Sequence, residues 1–220
     1  MNSLPYRILM SFMRVFFKLL YHQFAWGYDL VSTIVSAGRW RTWVVSVLPN
    51  LNGPLVLEIG HGPGHLLAKL GERGTRVVGL DESWPMSRLA FLRLVSLGVS
   101  RLLVNGYAQF LPFRNDTFNT VVSTFPSEYI LDTRSLSEVL RVLVPGGKLI
   151  ILPIAWITGN GLYDRLAAWL FRVTGQTPDW DELYTQHLVS TGFSVCTEHR
   201  ALISSQLLIV HAEKPKFNVV

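Results

Sequence analysis

The sequence predicts a doubly wound α/β domain: seven strands in a mostly parallel sheet, a C-terminal antiparallel hairpin and an N-terminal helical extension. Three observations carry this. From Leu55 onward, short apolar runs alternate with helical stretches, the pattern of βαβ units. A glycine-rich turn, Gly60-His61-Gly62-Pro63-Gly64, separates the first apolar run from the first helix. The chain before Leu55 is patterned differently and closes on the punctuated stretch Pro49-Asn50-Leu51-Asn52-Gly53-Pro54. The organisation expected is therefore 1–54 as the extension and 55–220 as the α/β domain.

In chain order, Leu55–Ile59 reads as a buried strand and His65–Gly71 as a helix. Arg76–Leu80 is the second strand and Ser87–Leu97 the second helix. Arg101–Val104 and Thr120–Phe125 follow as strands, then a helix over Thr133–Leu143. Pro145-Gly146-Gly147 predicts a sharp turn into the apolar strand Lys148–Leu152. Helical patterns near Leu162–Arg172 and Trp180–Ser190 precede strands around Phe193–Cys196 and Gln206–Ala212, whose short link predicts antiparallel pairing. Right-handed crossovers place ligands at the carboxyl ends of the parallel strands.

Composition narrows the class. A chain of 220 residues fits one α/β domain with enough length for a core, and 49% hydrophobic with 16% charged residues excludes a disordered chain. The single cysteine, Cys196, excludes an intrachain disulfide framework and a cysteine-rich zinc module, and points to a reducing, cytoplasmic setting. In its strand pattern it reads as buried filler.

The formal net charge is +5, of which residues 1–54 hold +4: Arg7, Arg14, Lys18, Arg39 and Arg41 against Asp29. Between Leu4 and Phe24 the polar residues Arg7, Ser11, Arg14, Lys18 and His22 fall in one narrow helical stripe. Charges at Arg14 and Lys18 argue against a membrane span, and no small-residue cleavage site marks a signal peptide. Two roles fit residues 4–24. One is a helix lying in the inner face of a membrane. The other, favoured because basic stripes are common on packed helices, is a cover for the substrate side or a homodimer interface.

The glycine turn carries most of the functional signal. Its glycines let the backbone turn tightly, and the following helix N-terminus offers unpaired N–H groups to a ligand. A dinucleotide fingerprint would read G-x-G-x-x-G, but the spacing here is G-x-G-x-G, with His65 in the place of the third glycine. Glu58 precedes the turn, and Asp81 ends the second strand 23 residues later. Asp81 is placed to accept hydrogen bonds from the ribose hydroxyls of an adenosine ligand. Glu58 is suited to holding loop amides or, through water, a ligand ammonium. His61 and His65 are four apart, but no third ligand is apparent, so no metal site is expected.

These residues resemble the class I S-adenosylmethionine-dependent methyltransferases, especially the small-molecule and quinone or lipid type, over about Leu55–Leu152. Glu58-Ile59-Gly60-His61-Gly62-Pro63-Gly64 looks like the family's first motif, and Val78–Ala90, through Asp81, Ser83, Met86 and Ala90, its second. Asn105–Phe113 with Phe118-Asn119 resembles the third, and Arg141–Leu149 the lead into strand five. The resemblance implies a Rossmann-like fold and S-adenosylmethionine as cofactor, with S-adenosylhomocysteine as product. It places Gly60, Gly62 and Gly64 at the methionine part, Asp81 at the ribose, Glu82 and Met86 beside the adenine and the Ala108 backbone at the adenine edge, with Glu58, His61, Tyr107 and Gln109 as further cofactor-binding candidates. Thr124 and Phe125, at the fourth strand's tip, would face sulfonium and acceptor. Tyr107 stands where the family usually has an acidic residue, Asn119 where it has aspartate, and Glu82 where an apolar residue is more common.

Methyl transfer from a sulfonium is an in-line displacement, so the protein mainly aligns the reactants and excludes water. A general base is needed only if the acceptor must lose a proton; Glu128, Tyr129 and His187 are the candidates. The aromatic segment after strand five, with Tyr163 and Arg165, covers the substrate pocket in the resembling family. With Phe125 and the apolar N-terminal stretch it favours a small hydrophobic acceptor: a lipid, a quinone-like molecule or another apolar metabolite. Phe125-Pro126-Ser127-Glu128 is not the Asn-Pro-Pro-Tyr motif of nucleic-acid amino methylases, and no nucleic-acid partner is expected. The alternatives are an RNA or protein methyltransferase and a cofactor-binding, non-catalytic partner subunit.

Overall fold

A computed structural model describes residues 28–100, 102–159, 161 and 180–216. The expected amphipathic stretch 4–24, and Tyr163 and Arg165, lie outside the described residues. Among those described, no helix is long and apolar enough to cross a membrane.

The chain forms α1 (Tyr28–Val35), α2 (Trp40–Val45), β1 (Leu55–Ile59), α3 (His65–Glu72), β2 (Arg76–Asp81), α4 (Trp84–Ser96), β3 (Leu103–Asn105) and β4 (Phe118–Thr124). A 3-10 turn (Glu128–Leu131), α5 (Thr133–Val142), β5 (Leu143–Ile157), α6 (Trp180–Thr191), β6 (Ser194–Leu202) and β7 (Ser205–Glu213) follow. The seven strands are ordered β3-β2-β1-β4-β5-β7-β6. β1 to β5 pair in parallel, whereas β7 pairs antiparallel with β5 and β6, as the hairpin pattern predicts.

The central strands are buried because both faces carry apolar side chains: Val56, Leu57 and Ile59 in β1, Val121 and Val122 in β4, Leu149 to Leu152 in β5. α2 shares this core through Trp43 and Val44, followed by Val47 and Leu48, so the helices before Pro49 and the sheet bury one apolar surface together.

Several boundaries differ from expectation for local reasons. α4 begins three residues early, because Ser83 Oγ accepts the Met86 N–H as an N-cap and Pro85 fits the first turn. Pro145-Gly146-Gly147 is a bulge within β5, not a turn before it. The register with β4 shifts there, while Gly146 and Lys214, and Lys214 and Gly147, exchange backbone hydrogen bonds of 2.9 Å each. β6 reaches Leu202, well past Cys196, which is exposed rather than buried.

Gly64 joins the turn to α3 with φ of +79°, and a Cβ there would lie 2.8 Å from Ala90 Cβ and 3.1 Å from Ala90 Cα. Gly64→Ala should therefore cost about 2–4 kcal/mol in urea unfolding, combining left-handed strain with overpacking against α4. Gly98→Ala, with φ of +66° and open space around it, should cost about 1 kcal/mol. Equal costs would show that the α3–α4 contact yields freely.

Candidate active site

The strand order reverses direction between β1 and β4, which opens a crevice at their carboxyl ends. The glycine turn forms its floor. The Gly60 N–H donates to Leu80 O at 2.7 Å and the Gly64 N–H to His61 O at 3.0 Å, so the turn is tied to β2 and to itself. Gly62, with φ of +51°, has nothing within 4 Å of where a Cβ would stand. The turn thus offers bare backbone to a ligand.

Asp81 fastens this floor. Its Oδ2 accepts the Gly62 N–H at 2.8 Å and its Oδ1 the Ser83 N–H at 2.8 Å, so one carboxylate bridges the first and second strand–helix turns. A carboxylate has about four lone-pair sites, so one can serve backbone donors and a ligand hydroxyl together. Gly106 N–H and Asn105 Nδ2 in turn donate to Asp81 O at 3.1 and 2.9 Å, joining the turn after β3 to the same point.

Two buried polar side chains beside the turn each leave one atom without a partner. Glu58 is 1% exposed, and its Oε2 has no hydrogen-bond partner. Burial, reinforced by the Asp81 charge and only partly opposed by a backbone hydrogen bond from Leu67, pushes its pKa well above the ordinary carboxylate value. His61 donates from Nδ1 to Gly62 O at 2.7 Å, because a carbonyl can only accept. Its Nε2 is buried without a partner. Burial depresses the His61 pKa despite the nearby Asp81, so the ring is a neutral acceptor. A buried acid and a buried acceptor beside open glycine backbone suit a ligand bearing an ammonium group.

The tip of β4 closes the other side. Ser123 Oγ donates to Ile59 O at 2.8 Å, and the Tyr129 hydroxyl reaches the same carbonyl at 3.3 Å and Ser123 Oγ at 3.1 Å. Burial drives the Tyr129 pKa upward; the Ser123 hydrogen bond opposes this and the charges of Asp81 and Glu58 reinforce it. Through these contacts Tyr129 braces the end of β1. Phe125 leaves the strand with φ of +50°, a conformation costly for an aromatic residue, of order 1–3 kcal/mol. Its N–H donates to Leu152 O at 2.7 Å, and its ring stacks on Trp40 of α2 at 4.3 Å.

The remaining expected residues are distributed unevenly. Thr124 is half-buried at the β4 tip, Ala108 buried and Gln109 half-buried after β3, and Met86 fully buried in the first turn of α4. Glu82 and Tyr107 face outward. Asn119 lies at the amino end of β4, where its Oδ1 accepts the Leu55 N–H at 3.2 Å, so it is remote from any adenine. Glu128 is exposed on the 3-10 turn. His187 sits on α6, where its carbonyl accepts Ser190 Oγ and Thr191 Oγ1. Among the described residues no group of three or more His, Cys, Asp or Glu could hold a metal ion. Sequence reasoning missed Ser123 and Asn105, whose polar side chains sit at strand positions and serve backbone carbonyls. It also missed the contact of Asp29 with His65 and Arg93; Asp29, the lone acid of a basic stretch, was the available signal.

A glycine floor, a strand-end carboxylate and a switch-point crevice define a nucleotide-type α/β site. Comparison with known proteins specifies it. Residues 56–147 match the family model described as a methyltransferase domain. The chain is 32% identical over 185 residues to the ubiquinone/menaquinone biosynthesis C-methyltransferase UbiE of Blochmanniella floridana, covering 78% of this chain and 72% of that protein. It is 34% identical over 153 residues to the demethylmenaquinone methyltransferase of Thermobifida fusca, covering 66% and 64%. Among solved structures, a putative S-adenosylmethionine-dependent methyltransferase from Methanococcus maripaludis superposes with a TM-score of 0.60 at 19% identity, over 89% of this chain and 94% of that one. Phosphoethanolamine N-methyltransferase 2 of Haemonchus contortus, in complex with S-adenosyl-L-methionine, gives 0.58 at 17% identity over 81% and 53%.

The chain belongs to the class I S-adenosylmethionine-dependent methyltransferases, and S-adenosylmethionine is its cofactor. The cofactor supplies an electrophilic methyl group on a sulfonium. The residues present fit it, since the orphaned Glu58 and His61 atoms stand beside the glycine floor and the Asp81 carboxylate, which would accept from a ribose, stands at the end of β2.

Proposed function

We propose that this chain transfers a methyl group to a small hydrophobic acceptor of the quinone or lipid type by in-line displacement. In this reading Glu58, His61 and the glycine turn hold the methionine part of the cofactor, and Asp81 the ribose. Glu82, Met86, Tyr107, Ala108 and Gln109 border the adenine. The observation that carries the acceptor class is the Trp40–Phe125 stack at the β4 tip, an aromatic wall held in a strained backbone conformation beside the turn. The names of the two relatives, both quinone methyltransferases, point the same way.

The test is transfer of labelled methyl from S-adenosylmethionine in the presence of a lipid extract, bulk RNA or denatured cell protein. Label should partition into the organic phase. Label in RNA or protein alone would overturn the acceptor class and leave the cofactor assignment standing.

A further inference from the structure

A second polar constellation lies just beyond the turn, and it joins the extension to the site. His65, the first residue of α3, follows Gly64 directly. Its Nε2 lies 2.9 Å from Asp29 Oδ1 on α1. The other Asp29 oxygen, Oδ2, is 2.6 Å from Arg93 Nη2 on α4, and Arg93 also donates to Pro63 O within the glycine turn. A carboxylate only accepts, so the proton of the neutral imidazole is on Nε2 and the lone pair on Nδ1. Among the described residues Nδ1 accepts no hydrogen bond.

Of these groups, His65 and Asp29 line a cavity of about 310 Å³, together with Ser32, Thr33, Gly38, Trp40 and Arg41. Trp40 forms one wall and is the residue that stacks on Phe125 at the β4 tip. The cavity therefore borders the place where the acceptor must meet the methyl group. A wider groove of about 500 Å³ shares His65 and Arg41 and continues past Val45, Ala68 and Leu97.

We propose that His65, oriented by Asp29, is the general base that takes the hydroxyl proton of a phenol- or hydroquinone-type acceptor bound against Trp40. The assignment rests on the methyltransferase reading and on an acceptor that must be ionised to react. The acceptor O–H bond breaks and its proton passes to His65 Nδ1, giving an imidazolium paired with Asp29. The resulting oxyanion, or the ring carbon beside it, forms a bond to the methyl carbon as that carbon's bond to sulfur breaks, its electron pair staying on sulfur. When carbon is the nucleophile, the ring regains aromaticity by moving that carbon's proton to the oxygen. One proton leaves with each turnover, finally from His65 to water.

The charged groups around the ring are consistent with this role. Asp29 faces it from α1, Arg41 from α2, Lys69 and Glu72 from α3 itself and Arg93 from α4. Lys69 is paired with Glu72 at 2.8 Å and Arg93 with Asp29, leaving Arg41 on the cavity wall to stabilise an oxyanion. Burial opposes ionisation of Asp29, but the His65 and Arg93 contacts prevail and hold its pKa at about 2. It therefore stays a carboxylate throughout the working range and does not compete for the proton.

The experiment uses the full chain and the His65→Gln variant, with two readouts. In the first, 2-naphthol is titrated onto cofactor-free protein and the naphtholate absorption followed against pH. The wild type should ionise the bound ligand at a pH about one to two units below that of free naphthol, and His65→Gln should not. No shift in the wild type, or an equal shift in the variant, overturns the proposal. In the second, labelled methyl transfer to a short-chain prenylated naphthohydroquinone is measured, with S-adenosylhomocysteine affinity by calorimetry as the check on folding. His65→Gln should lower kcat about 10²–10⁴-fold while KM and S-adenosylhomocysteine affinity change less than about threefold. A kcat within about threefold of wild type, or a parallel loss of S-adenosylhomocysteine affinity, overturns it in favour of a structural latch on the glycine turn. A wild type that ionises naphthol yet methylates no hydroquinone supports the base and rejects the quinone-type acceptor.

Discussion

Replacing Glu58 by glutamine is expected to raise the stability of the cofactor-free protein and, in the same molecule, to weaken its hold on S-adenosylmethionine. The carboxyl is 1% exposed with Oε2 unpartnered, and burial followed by the Asp81 charge raises its pKa well above the ordinary 4.5. A group whose folded pKa is raised gives stability that is fully present below its unfolded value and is lost as pH rises toward the folded one. In the wild type that loss begins near pH 4.5 and grows by about 1.4 kcal/mol per pH unit until Glu58 ionises in the fold. Glutamine carries no such cost. Its advantage should be near zero at pH 4 and reach about 1–3 kcal/mol by neutral pH, read from urea midpoints at a series of pH values. Cofactor binding reverses the preference, because the ammonium favours the ionised carboxylate. Wild-type affinity should rise with pH over the same window, and Glu58→Gln should bind about 10–100-fold more weakly, without that slope. A variant destabilised at every pH would show that Glu58 is a structural hydrogen-bonding residue and not an acid held ready for a ligand.

The alternation of strand and helix was legible because periodicity is a local property. Leu55–Ile59, with both faces buried, reads as a continuous apolar run, and Asp81 sits where the second run ends. Asn119 could have been placed as well. It stands at the start of the Thr120–Phe125 run, and in a parallel strand that end points away from the site. What stayed hidden depends on contacts between distant residues. The left-handed backbone of Phe125 is held by Leu152 O and by stacking on Trp40, 85 positions earlier, and no local propensity encodes it. The pairing of Asp29 with His65 and Arg93 spans three helices, and charge counts showed only a lone acid in a basic stretch. The bulge at Gly146 looked like a turn because Pro-Gly-Gly serves both, and only the backbone exchange with Lys214 decides between them.

Asp81→Asn should be more damaging than any other change at the cleft, because it alters the floor and the ligand site together. The carboxylate accepts two backbone N–H groups at 2.8 Å, from Gly62 and Ser83, and is 2% exposed. An asparagine amide presents one oxygen and one NH₂ group, so in either orientation a buried N–H donor faces another donor. Leaving one such group unsatisfied costs about 1–3 kcal/mol, and losing a charge-assisted bond adds to it. The predicted loss of unfolding free energy is about 2–4 kcal/mol. Cofactor affinity should fall about 100-fold or more, since the ribose loses its carboxylate and the turn its anchor. Asp81→Asn should also lower the Glu58 pKa, because the Asp81 charge helps to raise it. The pH slope of cofactor binding should accordingly move to lower pH in Asp81→Asn and vanish when Glu58→Gln is added. An unchanged slope in the single variant would show that burial alone sets the Glu58 proton and that the two acids act independently.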